Sequence, residues 1–295
     1  MTTVLTPATL DETLRLLAEH PHALLMAGGT DLLVRRRATF AEDAPPLLSL
    51  GRVAELRGIA EEDSLLAIGA ATPFECIIAD PRVNRYASLL VQAARTIGGP
   101  AIRNMATLGG NICTASPAGD SLPPLILLDA RVELVARAGT RTLPIAAFIH
   151  GPGHTALRQG ELLTRILLPK TSLFFRECFV KIGRRKALAI SVTSFAGLAR
   201  LDQGGAIDEI CMAWGSVGPT VVRLPALEKA LVGEQVHTAL IEQVRLAVAR
   251  GVSPIPDLRG MPEDHLRARL IAFHEGKAAD ATVMTRLMRG YDRAQ

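Results

Sequence analysis

Two Gly-Gly corners constrain this chain more than any other feature: Ala27-Gly28-Gly29-Thr30-Asp31, and Thr107-Leu108-Gly109-Gly110-Asn111 within the stretch from Gly98 to Pro124. Paired glycines remove Cβ twice in succession, so the backbone can turn to φ > 0 and a bulky group can approach its N–H groups. The first pair follows the apolar run Ala23-Leu24-Leu25-Met26, and both pairs read as loops leaving strands. Two such loops could offer amides to one pyrophosphate from two sides. A tight turn or bulge at each is the alternative. There is no G-x-G-x-x-G opening a helix and no G-x-x-x-x-G-K-[ST], which argues against a doubly wound dinucleotide fold and against a P-loop.

At 295 residues and 48% hydrophobic content the chain suits one large globular domain or two moderate ones. A net charge of +4 compels no nucleic-acid partner, and the tight basic clusters are Arg35-Arg36-Arg37 and Arg184-Arg185-Lys186, each a solvated rim or an anion contact. No apolar run approaches the roughly 20 residues of a membrane helix, and the amino terminus lacks the pattern of a secretory signal. Cys76, Cys113, Cys178 and Cys211 are scattered with no C-x-x-C. That spacing argues against a cluster or structural zinc on this chain, and free thiols fit a reducing cytoplasm.

Along the chain, Thr9-Leu10-Asp11-Glu12 reads as a capping box opening a helix to about His20, and Ala23 to Met26 as a buried strand. Leu47 to Leu50 and Leu65 to Ile68 are short strands; Thr72-Pro73-Phe74-Glu75 is a second capping box; Pro81 to Ile97 reads as one helix stopped by Gly98-Gly99. A short helix from Asp120 to Leu128 precedes a hairpin, Val132 to Ala136 with Arg141 to Leu143, and the strand Glu161 to Leu168. Then come three longer strands, Phe174 to Ile182, Ile190 to Leu201 and Ile207 to Val217, and helices at Pro225 to Leu231, His237 to Ala249, Pro262 to Glu275 and Ala279 to Arg289. Strands first and helices afterwards suggest an α+β domain with helices on one face of an antiparallel sheet, beginning near residue 171.

No acid–base or nucleophile constellation stands out, so no residue is assigned as catalytic. His150 and His154 flank Gly151-Pro152-Gly153, which cannot hold the helix that would align them on a metal, and Asp120 and Glu161 are single acids.

AGGTDLL (Ala27 to Leu33), LAIGAATPF, ATLGGNI (Ala106 to Ile112) and SPAGDSLPPLILLDARVEL resemble the flavin-binding medium subunit of the molybdenum hydroxylases, the group of the xanthine and carbon monoxide dehydrogenases. The resemblance runs on through Phe179 to Arg185, Ala213 to Thr220 and the DLRG at Asp257 to Gly260, and so covers essentially the whole chain. It implies an α+β fold: an FAD-binding PCMH-type domain over 1–170, made of two α/β subdomains, then a C-terminal domain over 171–295 like that of the CO dehydrogenase flavoprotein.

The resemblance also implies a site for noncovalent FAD. Ala27, Gly28, Gly29, Thr30 and Asp31 with Thr107, Leu108, Gly109, Gly110 and Asn111 would cradle the pyrophosphate and ribityl, flanked by Leu25, Met26 and Leu32. Ile97 would lie near the adenine, Asp120 would bind the flavin or its ribityl chain, and Leu163 and Thr164 would line the pocket. Lys181 would stand near the ring, where a cation favours the anionic reduced form, and Ile190 would pack against it. From the residues alone, Leu25, Ile97, Leu163 and Ile190 are equally core positions, and Lys181 in a strand is by default a solvent-facing charge. Leu188-Ala189 replace the adjacent acids of the animal xanthine dehydrogenases, and Cys113 stands alone where one subgroup carries a cluster.

The function implied is electron transfer within a heterotrimer. The molybdenum cofactor sits on a large partner, two [2Fe–2S] clusters on a small one, and electrons leave this flavin for NAD⁺, a quinone or another acceptor. The chain would be inactive toward substrate alone, with no nucleic acid or membrane insertion. Two rivals are a self-sufficient oxidase of the covalent-flavin superfamily, disfavoured because Thr30-Asp31 stand where those enzymes carry a histidine, and a cofactor-free scaffold or assembly protein.

Overall fold

A computed structural model describes residues 3–35, 44–170, 176–185 and 188–253. The helices expected at 262–275 and 279–289, the DLRG segment, and parts of both basic clusters lie outside the described residues.

The chain opens with β1 (Val4–Leu5) and α1 (Leu10–Glu19). The start of α1 is set locally: Thr9 Oγ1 accepts the Glu12 N–H at 3.2 Å, and the Glu12 carboxylate accepts the Ala8 N–H at 2.8 Å. Such a reciprocal cap contributes about 1 kcal/mol. Leu14 and Leu17 are buried on the inner face. β2 (Leu24–Met26), α2 (Leu32–Arg35) and β3 (Leu47–Ser49) follow, and the strands form a parallel sheet in the order β1-β3-β2. As an edge strand β2 is half-buried rather than buried.

Next come β4 (Ile59–Glu61), β5 (Leu65–Gly69), α3 (Phe74–Ala79), α4 (Pro81–Tyr86), α5 (Ser88–Arg95), α6 (Pro100–Met105), α7 (Leu108–Thr114) and α8 (Leu122–Leu127). β6 (Arg131–Ala136), β7 (Gly139–Pro144), α9 (Ile145–Phe148), the small hairpin β8 (Ile149–Gly151) and β9 (His154–Thr155), and β10 (Leu162–Pro169) complete this half. β10 is the central strand of an antiparallel sheet ordered β4-β5-β10-β6-β7. One core cluster, including Leu14, Leu17, Leu48, Leu56 and Leu162, joins α1, β3 and β10.

Three local expectations are corrected. Thr72 is not a helix cap: its hydroxyl bonds both the N–H and the carbonyl of Gly58, and Pro73 stands at the N-cap of α3 with no side-chain cap. The single helix expected from Pro81 to Ile97 is broken at Ala87 (φ −145°, ψ 45°) into α4 and α5. The second glycine pair does not leave a strand. Gly109 and Gly110 lie in the first turn of α7, capped by Thr107, whose Oγ1 accepts the Gly110 N–H at 3.2 Å.

β11 (Arg176–Gly183), β12 (Ser191–Leu201), β13 (Ile207–Gly215) and β14 (Val222–Arg223) form an antiparallel sheet in chain order, followed by α10 (Pro225–Leu231) and α11 (Thr238–Gly251). The turn between β12 and β13 is closed by Asp202, whose Oδ1 accepts the N–H groups of Gly204 and Ala206. His237 caps α11 by accepting the Leu240 N–H on Nδ1.

The chain divides into two compact units. One comprises Met1–Tyr86, Ile97–Ser116 and Asp129–Lys170; the other takes Ala87–Thr96, Pro117–Leu128 and the described residues from Arg176 onward. In the second unit β12 is buried on both faces. Phe195 and Trp214 pack with Leu231, Leu240, Val244 and Val248 of α10 and α11, the helical cover expected from the sequence. Ala196, Leu198 and Ala213 on the opposite face pack with Leu89 of α5 and Leu127 of α8. That second cover explains the break at Ala87: α4 belongs to the first unit and α5 to the second.

Candidate functional site

Within the first unit the two glycine corners lie against each other. A Cβ on Gly28 would stand 1.8 Å from the Met105 carbonyl oxygen and 3.1 Å from Ala106 Cα, the residues leading into the second corner. Only a glycine permits that approach. Gly29 takes φ +71°, the left-handed region, and turns the chain from β2 into α2.

The corners differ in what their amides do. At the second, the Leu108 N–H donates to Thr72 O (3.2 Å), Gly109 to Ala70 O (2.9 Å) and Asn111 to Thr107 O (3.0 Å), while Gly110 is taken by the Thr107 cap. A Cβ on Gly109 would stand 2.6 Å from that of Ala70. At the first corner, the N–H groups of Gly28, Gly29 and Thr30 donate to no acceptor among the described residues. These half-buried donors are the part of the site fitted to an anion.

The other assigned residues of this unit frame the corners. Leu25 and Ala27 are half-buried beside the core cluster, Leu32 opens α2, and the Met26 sulfur lies 3.1 Å from where a Cβ on Gly29 would be. Asp31 is exposed, pairs with Arg35 at 2.9 Å, and accepts a long bond from Thr114 Oγ1 at 3.5 Å. Ile97 is half-buried, with its carbonyl facing Arg103. Leu163 and Thr164 are buried on β10, and the Thr164 carbonyl accepts the Ala70 N–H at 2.8 Å, so β10 backs the second corner through Ala70. Thr164 Oγ1 also bonds the Glu133 carboxylate, which a hydrogen bond from Arg165 holds below the usual carboxylate range.

The second unit holds a separate polar cluster. Asp120 is 6% exposed, and its Oδ2 accepts from Lys181 Nζ at 2.6 Å while Ser191 Oγ donates to Oδ1. Lys181 Nζ also donates to Thr96 O at 3.1 Å. Burial pushes the Asp120 carboxyl up, against the pull of Lys181 and Ser191. Lys181 is therefore a half-buried ion-pair partner rather than a solvent-facing charge, and Asp120 is not a single acid. Sequence reading missed the pairing because the residues are 61 positions apart. Ile190 departs from its core expectation: it is 67% exposed, just before β12 begins. Glu161, the other single acid, is paired with Arg141 at 2.7 Å.

Lys181 is placed by a polar ladder between α5 and β11. Ser88 Oγ donates to the Glu177 carboxylate, Gln92 Oε1 accepts the Phe179 N–H at 3.0 Å, and the Thr96 carbonyl holds Lys181. Steps of four along a helix, about 6 Å, match steps of two along a strand, about 6.8 Å. Among the described residues no group of three or more His, Cys, Asp or Glu could hold a metal, and His150 and His154 are exposed on the β8–β9 hairpin.

The family model for the FAD binding domain in molybdopterin dehydrogenase matches residues 1–171, and that for the CO dehydrogenase flavoprotein C-terminal domain matches residues 178–272. The xanthine dehydrogenase FAD-binding subunit of Escherichia coli O157:H7 is 34% identical over 261 residues, 88% of this chain and 89% of its own. The nicotinate dehydrogenase FAD-subunit of Eubacterium barkeri is 32% identical over 233 residues, 77% of this chain and 78% of its own. Carbon monoxide dehydrogenase from Hydrogenophaga pseudoflava contains a chain of the same fold, with a TM-score of 0.85 and 29% identity over 98% of this chain and 95% of that one. Fold and glycine corners thus define a class, the flavin-carrying chains of multi-subunit dehydrogenases. The chain belongs to the FAD-binding subunits of the molybdenum hydroxylase family and is an oxidoreductase subunit whose cofactor is FAD.

Proposed function

We propose that this chain is the medium subunit of a cytoplasmic molybdenum hydroxylase, with an FAD-binding domain over 1–170 and a C-terminal domain over 171–295. It takes electrons from [2Fe–2S] clusters on a small partner and passes them to NAD⁺ or another acceptor, while the molybdenum cofactor and the substrate chemistry belong to a large partner. The observation that carries this reading is the run of N–H groups at Gly28, Gly29 and Thr30 that donate to no acceptor among the described residues and are held against Met105 and Ala106. These donors suit the doubly charged diphosphate of a dinucleotide.

When bound, FAD supplies the electron-transfer chemistry. The chain's own contribution is grip and charge. Gly28 to Thr30 hold the diphosphate, and Thr107, through its cap, keeps the second corner rigid beside it. In the second unit Asp120 and Lys181 form an ion pair at 2.6 Å. Equilibrium dialysis of the purified chain with FAD tests the proposal. Saturable, acid-releasable binding is expected, and absence of saturable uptake would overturn it.

A further inference from the structure

We propose that Arg35 is a positioning residue of the first glycine corner: by pairing with Asp31 it cancels the carboxylate charge beside the Gly28, Gly29 and Thr30 amides, so that the corner accepts a doubly charged diphosphate. The proposal rests on the FAD reading above, and every residue it uses belongs to the first unit.

An acid at this place works against an anion. Asp31 follows Thr30 directly, and with consecutive Cα atoms about 3.8 Å apart its carboxylate stands within about 10 Å of any anion that accepts the Thr30 N–H. Two phosphate charges at that range are repelled, and a separation near the Debye length of about 10 Å at 0.1 M salt leaves much of the repulsion unscreened. Arg35 supplies the opposite charge. Its Nε lies 3.0 Å from Asp31 Oδ1 and 2.9 Å from Oδ2, and the Arg35 N–H donates to the Asp31 carbonyl at 3.0 Å, one helical turn away. An acid four residues before its base is the favourable order for such a pair.

The Arg35 side chain is 55% exposed and that of Asp31 47%, so the pair itself adds little to stability. Its effect lies in the charge it leaves beside the amides. Thr114 Oγ1, 3.5 Å from Asp31 Oδ2, is neutral and cancels nothing. The same balance holds on α6, whose Met105 carbonyl faces Gly28: its Arg103 is paired with Glu75 at 2.8 Å. Arg35→Met therefore leaves the diphosphate facing an uncompensated carboxylate. Asp31→Asn does the reverse, releasing a cation beside it.

The test uses the full-length chain and its R35M, R35K, D31N and D31N/R35M variants, with FAD as the probe. Equilibrium dialysis reads affinity at about 0.02 M and at about 1 M salt, where the Debye length falls from roughly 20 Å to about 3 Å, and urea melts report folding. At low salt R35M is expected to bind FAD about threefold more weakly than the parent and D31N about threefold more tightly. R35K and the double variant are expected to match the parent, and at high salt all five proteins converge. A merely structural role for either residue would move affinity without regard to salt. D31N, read at both salts, carries the test should R35M not fold. R35M with the parent's affinity at low salt overturns the proposal, as does an R35M deficit that persists at high salt or a D31N that binds more weakly. A parent chain that takes up no FAD overturns the underlying reading, and this proposal falls with it.

Discussion

The two glycine corners look alike as strings of letters and do different work in the folded chain. At Gly109-Gly110 every nearby amide, from Leu108 to Asn111, already has an acceptor within the protein, and the missing Cβ makes room for Ala70. At Gly28-Gly29 the missing Cβ makes room for the Met105 carbonyl, while the amides of Gly28, Gly29 and Thr30 donate to no acceptor among the described residues. A glycine pair therefore marks a close approach. Whether the approaching group is the chain itself or a ligand is decided by the donors left over.

Substitution at the glycines should separate the corners most strongly. Gly28→Ala forces a Cβ within 1.8 Å of a backbone carbonyl, and is expected to cost about 3 kcal/mol of stability and to abolish FAD uptake. Gly109→Ala meets Ala70 at 2.6 Å and should cost about 2 kcal/mol, with affinity per folded molecule changed less than about twofold. Urea melts beside FAD dialysis check both. Equal loss of affinity in the two variants would erase the distinction.

Two threonines sharpen it. Thr107→Ala removes the cap on Gly110 and should cost about 1 kcal/mol. Thr30→Val should leave stability within about 0.5 kcal/mol and weaken FAD binding about fivefold.

The smallest effect is one of acidity. Glu133 is held below the usual carboxylate range by Arg165, so its contribution to stability is present above its unfolded value and lost as pH falls through the folded one. Since Thr164 links Glu133 to the second corner through Ala70, acid should loosen that corner. Glu133→Gln is expected to flatten the acid limb of stability, read by urea melts taken from about pH 6 down to about pH 3.

Much of the fold was legible because its causes are local. The cap at Thr9, the turn at Asp202 and the helix Pro225–Leu231 each stand where residue types within a few positions demand them. The break at Ala87 was not legible, since apolar spacing runs smoothly through it and only the split of α4 and α5 between two units requires it. The partnership of Asp120, Lys181 and Ser191 was hidden for the same reason: it depends on distant segments brought together by the sheet. Ile190 misled because an apolar residue next to a buried strand reads as part of it, whereas the chain turns inward only at Ser191.

The ladder from Ser88 to Thr96 along β11 has a consequence for anyone who would cut this gene in two. A fragment starting at residue 171 keeps the strands but forfeits both helices that shelter Ala196, Leu198 and Ala213, leaving a greasy, self-adhesive sheet open to solvent. Such a fragment should precipitate, and supplying residues 87–128 as a separate peptide should be the first remedy that returns it to solution.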